Sequence, residues 1–169
     1  TIRSQTQIDI IPLSAENFLG AIDEDNYLST LEKIKKYSED NPNRNILVNI
    51  SLGFSDKDFQ KKAISKLNKD NILIVAAAGN NNSEQKLYPA GFANVLAVAA
   101  LENDSKMPGS NYGQYIDISA SGIIRLNETL NLPSINLNPT TKNTGTSFAA
   151  PQVTGLSGQT MAYNTDISP

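Results

Sequence analysis

The 169-residue sequence contains no histidine and no cysteine. Without cysteine there can be no disulfide framework, no thiolate zinc site and no cysteine nucleophile. Without histidine there is no imidazole to serve as a general base or as a metal ligand. The absence of cysteine is compatible with any redox compartment, so it does not locate the protein.

Long apolar runs are also missing, because no stretch approaches the ~18 residues needed to span a bilayer. The net charge is −3, and this mildly acidic balance argues against a surface for nucleic acid or anionic membrane. Apolar residues make up 39% of the sequence and charged residues 18%, as is typical of a soluble globular protein. We therefore expect one domain with an apolar core, with neither a nucleic-acid partner nor a membrane partner.

Short apolar runs alternate with longer amphipathic stretches. The apolar runs predict strands at residues 8–13, 46–50, 72–78, 95–101 and 116–118. Apolar residues at helical spacing predict helices near residues 27–37, 59–67 and 146–163. The N-cap of the first helix is predicted at Asp25 or Asn26, and the helix is predicted to end before Asn41. Residues 122–143 are interpreted as a long loop, with a hairpin as an option. This order predicts the α/β class: a parallel sheet with helices on both faces, which binds ligands at the carboxyl ends of its strands.

A serine stands at the predicted start of the last helix, within residues 145–151 (GTSFAAP). Gly145 permits a tight backbone before the helix, and Pro151 is tolerated near a helix start. Free N–H groups and the helix dipole favour a developing negative charge there, which suits attack by Ser147 on a carbonyl. The plain alternative is that Ser147 or Thr146 is only an N-cap.

Two further segments come at the ends of buried strands. Residues 76–80 end in Gly-Asn, and the amide of Asn80 can donate a hydrogen bond into a crevice; an ordinary strand-to-loop turn is the alternative. Residues 49–53 end in Ser-Leu-Gly, an edge that can pair with an extended peptide; a strand followed by a glycine turn is the alternative. Taken singly, each of these two segments favours its plain alternative.

Taken together, the order and spacing of the three segments closely resemble the subtilisin-like serine proteases, the subtilases. Residues 145–151 match the segment around that family's nucleophilic serine, residues 76–80 the strand that ends in its oxyanion asparagine, and residues 51–53 its substrate-pairing edge. Tyr88-Pro89 followed by residues 95–98 resembles the next strand and its approach. The resemblance implies a serine endopeptidase that hydrolyses peptide bonds by acyl transfer.

Carried over to this sequence, the resemblance makes Ser147 the nucleophile. It makes Asn80 the side-chain donor of the oxyanion hole, acting with the backbone N–H of Ser147. For substrate binding it assigns Ser51, Leu52 and Gly53 to the S1 and S4 side of the cleft, Ala77, Ala78 and Gly79 to the opposite wall of S1, and Leu87 to the floor of S1. A leucine at the floor fills space and carries no charge, so we expect an apolar or small P1 residue.

The sequence departs from the family because two members of the catalytic triad are missing. The triad comes in the chain order Asp, His, Ser, and only the serine end is present. We therefore expect residues 1–169 to be the C-terminal portion of one subtilisin-like catalytic domain, with an incomplete sheet and with the Asp and His upstream of Thr1. Lys142 as a substitute base is less expected than a solvated surface lysine, and Asp9 and Asp117 are expected to be structural or surface carboxylates.

Two functions from different classes remain open. One is the C-terminal half of a subtilisin-type serine endopeptidase, inactive alone for want of its histidine. The other is a catalytically dead, subtilase-like module that binds peptides. In both, a peptide or protein is the ligand. The sheet is expected to be completed by the missing N-terminal part of the domain. Alternatively, a second copy of the chain completes it in a homodimer formed through exposed sheet edges. No cofactor or metal is expected except the structural calcium of a full-length enzyme, and the resemblance implies a secreted or cell-surface protein.

Overall fold

The computed structural model of the chain describes residues 8–17, 19–124 and 143–163. Within these residues the elements are α1 (Glu24–Asp40), β1 (Ile46–Ile50), α2 (Asp58–Lys66), β2 (Ile72–Ala77), β3 (Leu96–Glu102), β4 (Ser105–Lys106), β5 (Ile118–Ser121), β6 (Ile123–Ile124), β7 (Asn143–Thr144) and α3 (Thr146–Tyr163). The three predicted helices and the strands predicted at residues 46–50, 72–78 and 95–101 are confirmed. None of the helices in the described part of the chain has the length and apolar character that a membrane span requires.

The principal sheet is mostly parallel. Its strands follow the order β1–β2–β3–β4, and β5 also pairs with β3. β2 runs parallel to β3 with Ala76 opposite Ala97, and β3 runs parallel to β5 with Val98 opposite Ile118. β4 pairs antiparallel with the end of β3. A mostly parallel sheet connected by helices is the α/β class that the sequence predicts.

The chain divides into two compact units. Of the described residues, unit 1 comprises residues 8–17, 19–47, 58–73 and 156–163. Its helices α1 and α2 pack together, and its core consists mainly of large apolar side chains: Tyr27, Leu31, Ile34, Ile64, Leu67 and Ile72. The N-cap of α1 is Asp23, whose carboxylate accepts the N–H of Asn26 at 2.9 Å. The predicted caps at Asp25 and Asn26 are wrong, because the apolar period starts at Tyr27, one turn after the helix itself begins.

The predicted strand at residues 8–13 is also wrong, because these residues are irregular in the structure. Ile8 is 60% exposed and Ile10 is 89% exposed. An apolar run becomes a strand only when a neighbouring strand satisfies its backbone groups, and Pro12 has no N–H to offer to such a ladder. One contact of the run is an ion pair between Asp9 and Arg44 at 2.5 Å, which joins residues 35 positions apart in sequence.

Unit 2 comprises residues 48–57, 74–124 and 143–155 of the described chain. Small residues dominate its core: Ala76, Ala77, Ala78, Ala97, Ala99, Ala100, Ala149 and Ala150 are all buried. Its second sheet pairs β6 with β7 antiparallel, with Ile123 opposite Thr144. These two short strands lie at the ends of the segment interpreted as a loop or hairpin, and residues 125–142 between them lie outside the described residues.

Candidate active site

The segment that contains Ser147 begins with a glycine in a conformation few other residues adopt. Gly145 has φ +142°, and a Cβ at this position would lie 3.3 Å from the side-chain nitrogen and oxygen of Asn80. The N–H of Gly145 donates to the carbonyl of Gly122 at 2.9 Å. α3 then begins at Thr146, so Ser147 lies in its first turn and is partly exposed. The sequence predicts this placement of the serine.

Pro151 lies inside α3 rather than at its start. Proline has no N–H, so the helix cannot form the usual bond from residue 151 to the carbonyl of Ser147. That carbonyl accepts a hydrogen bond from the hydroxyl of Ser51 at 3.1 Å instead. In return, the hydroxyl of Ser147 donates to the carbonyl of Ser51 at 3.4 Å. The two serines therefore link the end of β1 to the first turn of α3.

Asn80 follows β2 and is exposed, but its side chain has a fixed orientation. Its Oδ1 accepts from the N–H of Thr146 at 2.9 Å and from the Thr146 hydroxyl at 3.0 Å. Thr146 is fully buried, and its hydroxyl also accepts the N–H of Gly79 at 3.2 Å. Because Thr146 donates both of these bonds, the branch of the Asn80 amide that faces it is the accepting oxygen. The Nδ2 group is therefore the branch that can donate to a ligand.

The edge that includes Ser51, Leu52 and Gly53 is fixed next to Leu87. Phe54 and Tyr88 form an antiparallel bridge, with both N–H···O distances at 2.8 Å. The side chain of Leu87 packs between two glycines: a Cβ would lie 3.2 Å from its Cδ1 at Gly53 and 2.5 Å from it at Gly79. Leu87 therefore occupies the space between the two glycine backbones.

These residues surround one cleft of about 200 Å³, lined by Ser51, Leu52, Gly53, Ala77, Gly79, Asn80, Asn81, Leu87, Thr146 and Ser147. Every predicted site residue except Ala78 is in this lining. Ala78 is fully buried, with its N–H donated to Val98 at 2.9 Å. Asn81 and Thr146 also line the cleft, and no motif in the sequence assigns them to it. Thr146 directly precedes the serine. Its hydroxyl is buried and hydrogen-bonded, and no periodic pattern in the sequence predicts such a contact.

The other ionisable candidates have structural partners or lie outside the described residues. Asp117 accepts the N–H of Ala97 at 2.8 Å, as expected of a structural carboxylate. Lys142 falls outside the described residues. Burial raises the pKa of the Tyr115 hydroxyl, while its hydrogen bond with Asn111 acts in the opposite direction. In the part of the chain that the structure describes, no three Asp or Glu side chains cluster as metal ligands.

A comparison with known protein families agrees with this geometry. The model described as the Subtilase family matches residues 12–169. The chain belongs to the subtilase family.

Individual subtilases show how much of the family's length the chain represents. The thermostable alkaline protease of Halalkalibacterium halodurans is 36% identical over 118 residues, which cover 65% of this chain and 29% of that protein. Subtilisin BL of Lederbergia lenta is 34% identical over 111 residues, which cover 64% of this chain and 39% of that protein. The matched residues therefore cover 29% and 39% of the length of these two relatives.

Solved structures confirm the subtilisin-like fold. A cold-adapted subtilisin-like serine proteinase superposes with a TM-score of 0.71 at 20% identity, covering 91% of this chain and 54% of that one. The prenylagaramide maturation protease PagA superposes with a TM-score of 0.67 at 26% identity, covering 92% of this chain and 55% of that one. The predicted family and fold class are thus confirmed, while the roles of the individual site residues remain predictions.

Proposed function

We propose that this chain carries the nucleophile and the oxyanion hole of a subtilisin-type serine endopeptidase. One observation supports this most directly: Ser147, Asn80 and the edge at residues 51–53 line the same cleft. A nucleophile, an oriented amide donor and an exposed backbone edge are the components that acyl transfer from a peptide requires.

In the proposed reaction, the hydroxyl of Ser147 attacks the peptide carbonyl and forms a tetrahedral intermediate, while its proton passes to a base supplied from outside these residues. The peptide C–N bond then breaks, the base returns the proton to the leaving amine, and the acyl group stays on Ser147 until water hydrolyses it. The Nδ2 group of Asn80 and the backbone N–H of Ser147 stabilise the oxyanion. The bonds from Thr146 to the Oδ1 of Asn80 already orient this amide, so little reorganisation is needed as charge develops. In subtilisin, a member of the same family, removal of the corresponding asparagine lowers kcat by ~10²–10³-fold.

The substrate is proposed to be an extended peptide that pairs with Ser51, Leu52 and Gly53. Its P1 side chain enters between this edge and the wall formed by Ala77 and Gly79. Leu87 fills the space between the two glycines, so the S1 pocket is shallow and uncharged. An apolar or small P1 residue follows from this shape.

The base is proposed to come from outside these 169 residues, which contain no histidine. A serine hydroxyl without an adjacent base is a poor nucleophile. The proposed partner is the part of a subtilase catalytic domain that bears the Asp and His, and the chain alone is expected to be inactive. Family membership also suggests a secreted or cell-surface location, and calcium of the full-length enzyme stays an expectation without a placed site.

A fluorophosphonate probe, read out by mass spectrometry at Ser147, tests the proposal. The chain alone should show no labelling above that of its Ser147→Ala control. A longer protein that includes the coding region upstream of Thr1 should be labelled at Ser147 and should hydrolyse peptides. The activity should be lost in Ser147→Ala and reduced ~10²–10³-fold in Asn80→Leu. An unlabelled longer protein that carries Asp and His segments would contradict the proposal.

The alternative, a peptide-binding module without catalysis, is favoured by one contact. Among the residues that the structure describes, the hydroxyl of Ser147 is bonded to the carbonyl of Ser51 and to no basic side chain. If a coding region without an upstream histidine gives a protein that binds peptides at residues 51–53 and leaves them intact, this alternative is correct.

A further inference from the structure

Asn111 is a fully buried amide with no role in the site as described so far. Its Nδ2 donates to the carbonyls of Ala78 at 3.0 Å and Gln85 at 3.4 Å. Its Oδ1 accepts the N–H groups of Asn81 at 2.9 Å and Ser83 at 3.4 Å. One planar group thereby bonds to four backbone positions in the loop that follows β2.

The backbone of Asn111 adds a fifth bond to the same loop. Its N–H donates to the carbonyl of Gly79 at 2.9 Å. Ala78 and Gly79 precede Asn80 and Asn81 follows it, so Asn111 bonds to the main chain on both sides of Asn80. Gly79 has φ +109°, and a Cβ there would lie 2.6 Å from the Nδ2 of Asn111. The glycine is therefore what lets the amide approach this closely.

Asn111 is itself fixed by its neighbour. The hydroxyl of Ser110, also fully buried, donates to the carbonyl of Asn111 at 2.9 Å and accepts the N–H of Ala100 at 2.9 Å. Ala100 belongs to β3, in the interior of the sheet. The loop that carries Asn80 is thus connected to β3 through Ser110 and Asn111.

We propose that Asn111 is a positioning residue that sets the orientation of the Asn80 amide by fixing the backbone on both sides of it. Only a side-chain amide has two donors and two acceptor lone pairs on one group of this size. Aspartate keeps the acceptor and loses the donors, and leucine keeps the shape and loses both. The proposal rests on the proposed function only in regarding the Nδ2 of Asn80 as an oxyanion donor.

Amide hydrogen exchange and NMR of this chain test the proposal, with Gln60→Leu as the matched control. Gln60 is an equally buried amide that lies in unit 1 and accepts from the Tyr27 hydroxyl at 3.1 Å. In Asn111→Leu, the N–H groups of Asn81 and Ser83 should exchange at least about tenfold faster, and the side-chain NH₂ resonances of Asn80 should move. In Gln60→Leu, these signals should stay at their wild-type values even if the melting temperature falls.

Asn111→Asp separates positioning from general stability and remains informative if the leucine variant does not fold. Its remaining acceptor should keep the exchange of Asn81 and Ser83 within about threefold of wild type, while the Asn80 resonances move because the donor to Ala78 is lost. Unchanged Asn80 resonances in a folded Asn111 variant would overturn the proposal, as would equal shifts in Gln60→Leu. None of these measurements needs Ser147 to react, so failure of the proposed function would appear separately as an unlabelled Ser147.

Discussion

The two units of the chain differ in the size of the side chains that they bury. Unit 1 buries large side chains such as Leu31 and Ile64, and its surface carries ion pairs between charged side chains. Unit 2 buries mostly alanines and packs side chains directly against the backbone at Gly79 and Gly145. The site is made from neutral hydrogen bonds between backbone and small polar side chains. The difference indicates that unit 1 is sensitive to lost volume and unit 2 to added volume.

Leu31→Ala should have the largest effect, because it removes a side chain that is 2% exposed in the core of unit 1. The lost apolar burial and the remaining cavity should lower the free energy of unfolding by about 3 kcal/mol. Urea unfolding followed by far-UV circular dichroism measures this change. Leu28→Ala on the same helix, at a half-buried position, is the control and should cost less than half as much. Equal losses would mean that the buried position of Leu31 does not belong to the core of unit 1 any more than the half-buried position of Leu28 does.

Gly79→Ala tests the opposite sensitivity in unit 2. The added methyl would meet Leu87 and Asn111 at 2.5 and 2.6 Å, and φ +109° is unfavourable for alanine. A loss of about 2 kcal/mol in the free energy of unfolding is expected. The control is Gly155→Ala, since a Cβ at Gly155 has no atom within 4 Å and a helical alanine is favourable. A Gly79→Ala variant as stable as wild type would show that unit 2 is not sensitive to added volume at this position.

Ser51→Ala should have a smaller effect on unit 2. It deletes the hydroxyl that donates to the carbonyl of Ser147, a partly buried bond worth about 1 kcal/mol. The variant also loses the hydrogen bond from the Nδ2 of Asn49 to the Ser51 hydroxyl at 3.2 Å. Differential scanning calorimetry of the variant against Ser55→Ala, an exposed serine on the same segment, therefore measures the two bonds together. If both variants melted together, the link between β1 and α3 would contribute nothing measurable.

The smallest effect concerns the surface charges of unit 1. A hydrogen bond from Lys66, the largest cause, holds the pKa of Glu32 below its ordinary value, and one from Lys35 does the same for Glu39. A carboxylate with a lowered native pKa stabilises the fold above its unfolded pKa of about 4.3, and this contribution is lost as pH falls through the native pKa. Both groups are exposed, so the effect should be small and reduced by salt.

Unfolding curves between pH 7 and pH 3, at low salt and at 0.5 M NaCl, measure this contribution. Compared with wild type, the Glu32→Gln, Glu39→Gln double variant should lose less stability at acidic pH, and high salt should narrow the difference. Parallel profiles at both salt concentrations would show that these pairs carry no pH-dependent stability. Concentrations on the order of 0.5 M suffice because the Debye length is then well under 10 Å.

Much of the fold and of the site was predictable because both follow local patterns. Continuous apolar runs identified β1, β2 and β3, and helical spacing identified α1 and α2. The site roles of Ser147 and Asn80 come from the resemblance to subtilases, which the order and spacing of three short segments carry. Glycine and proline explain only why the chain can turn near Ser147.

The remaining features depend on partners that are distant in the sequence. The run at residues 8–13 has the composition of a strand, but pairing decides whether a strand forms. Asn111 bonds to a loop about thirty residues earlier, and no period or spacing predicts such a contact. Local sequence suggests Thr146 only as a possible cap, because its partner, Asn80, is 66 residues away in sequence. Long-range polar contacts are therefore the part of this site that needed a structure.

Pro151 has a consequence for how the cleft responds to a ligand. A regular helix would bond the carbonyl of Ser147 to its own backbone, but this proline leaves that oxygen to the hydroxyl of Ser51. The same strand end offers the edge at which a peptide is proposed to pair. We therefore expect a peptide that moves this edge to disturb the hydrogen bond that holds the carbonyl of Ser147.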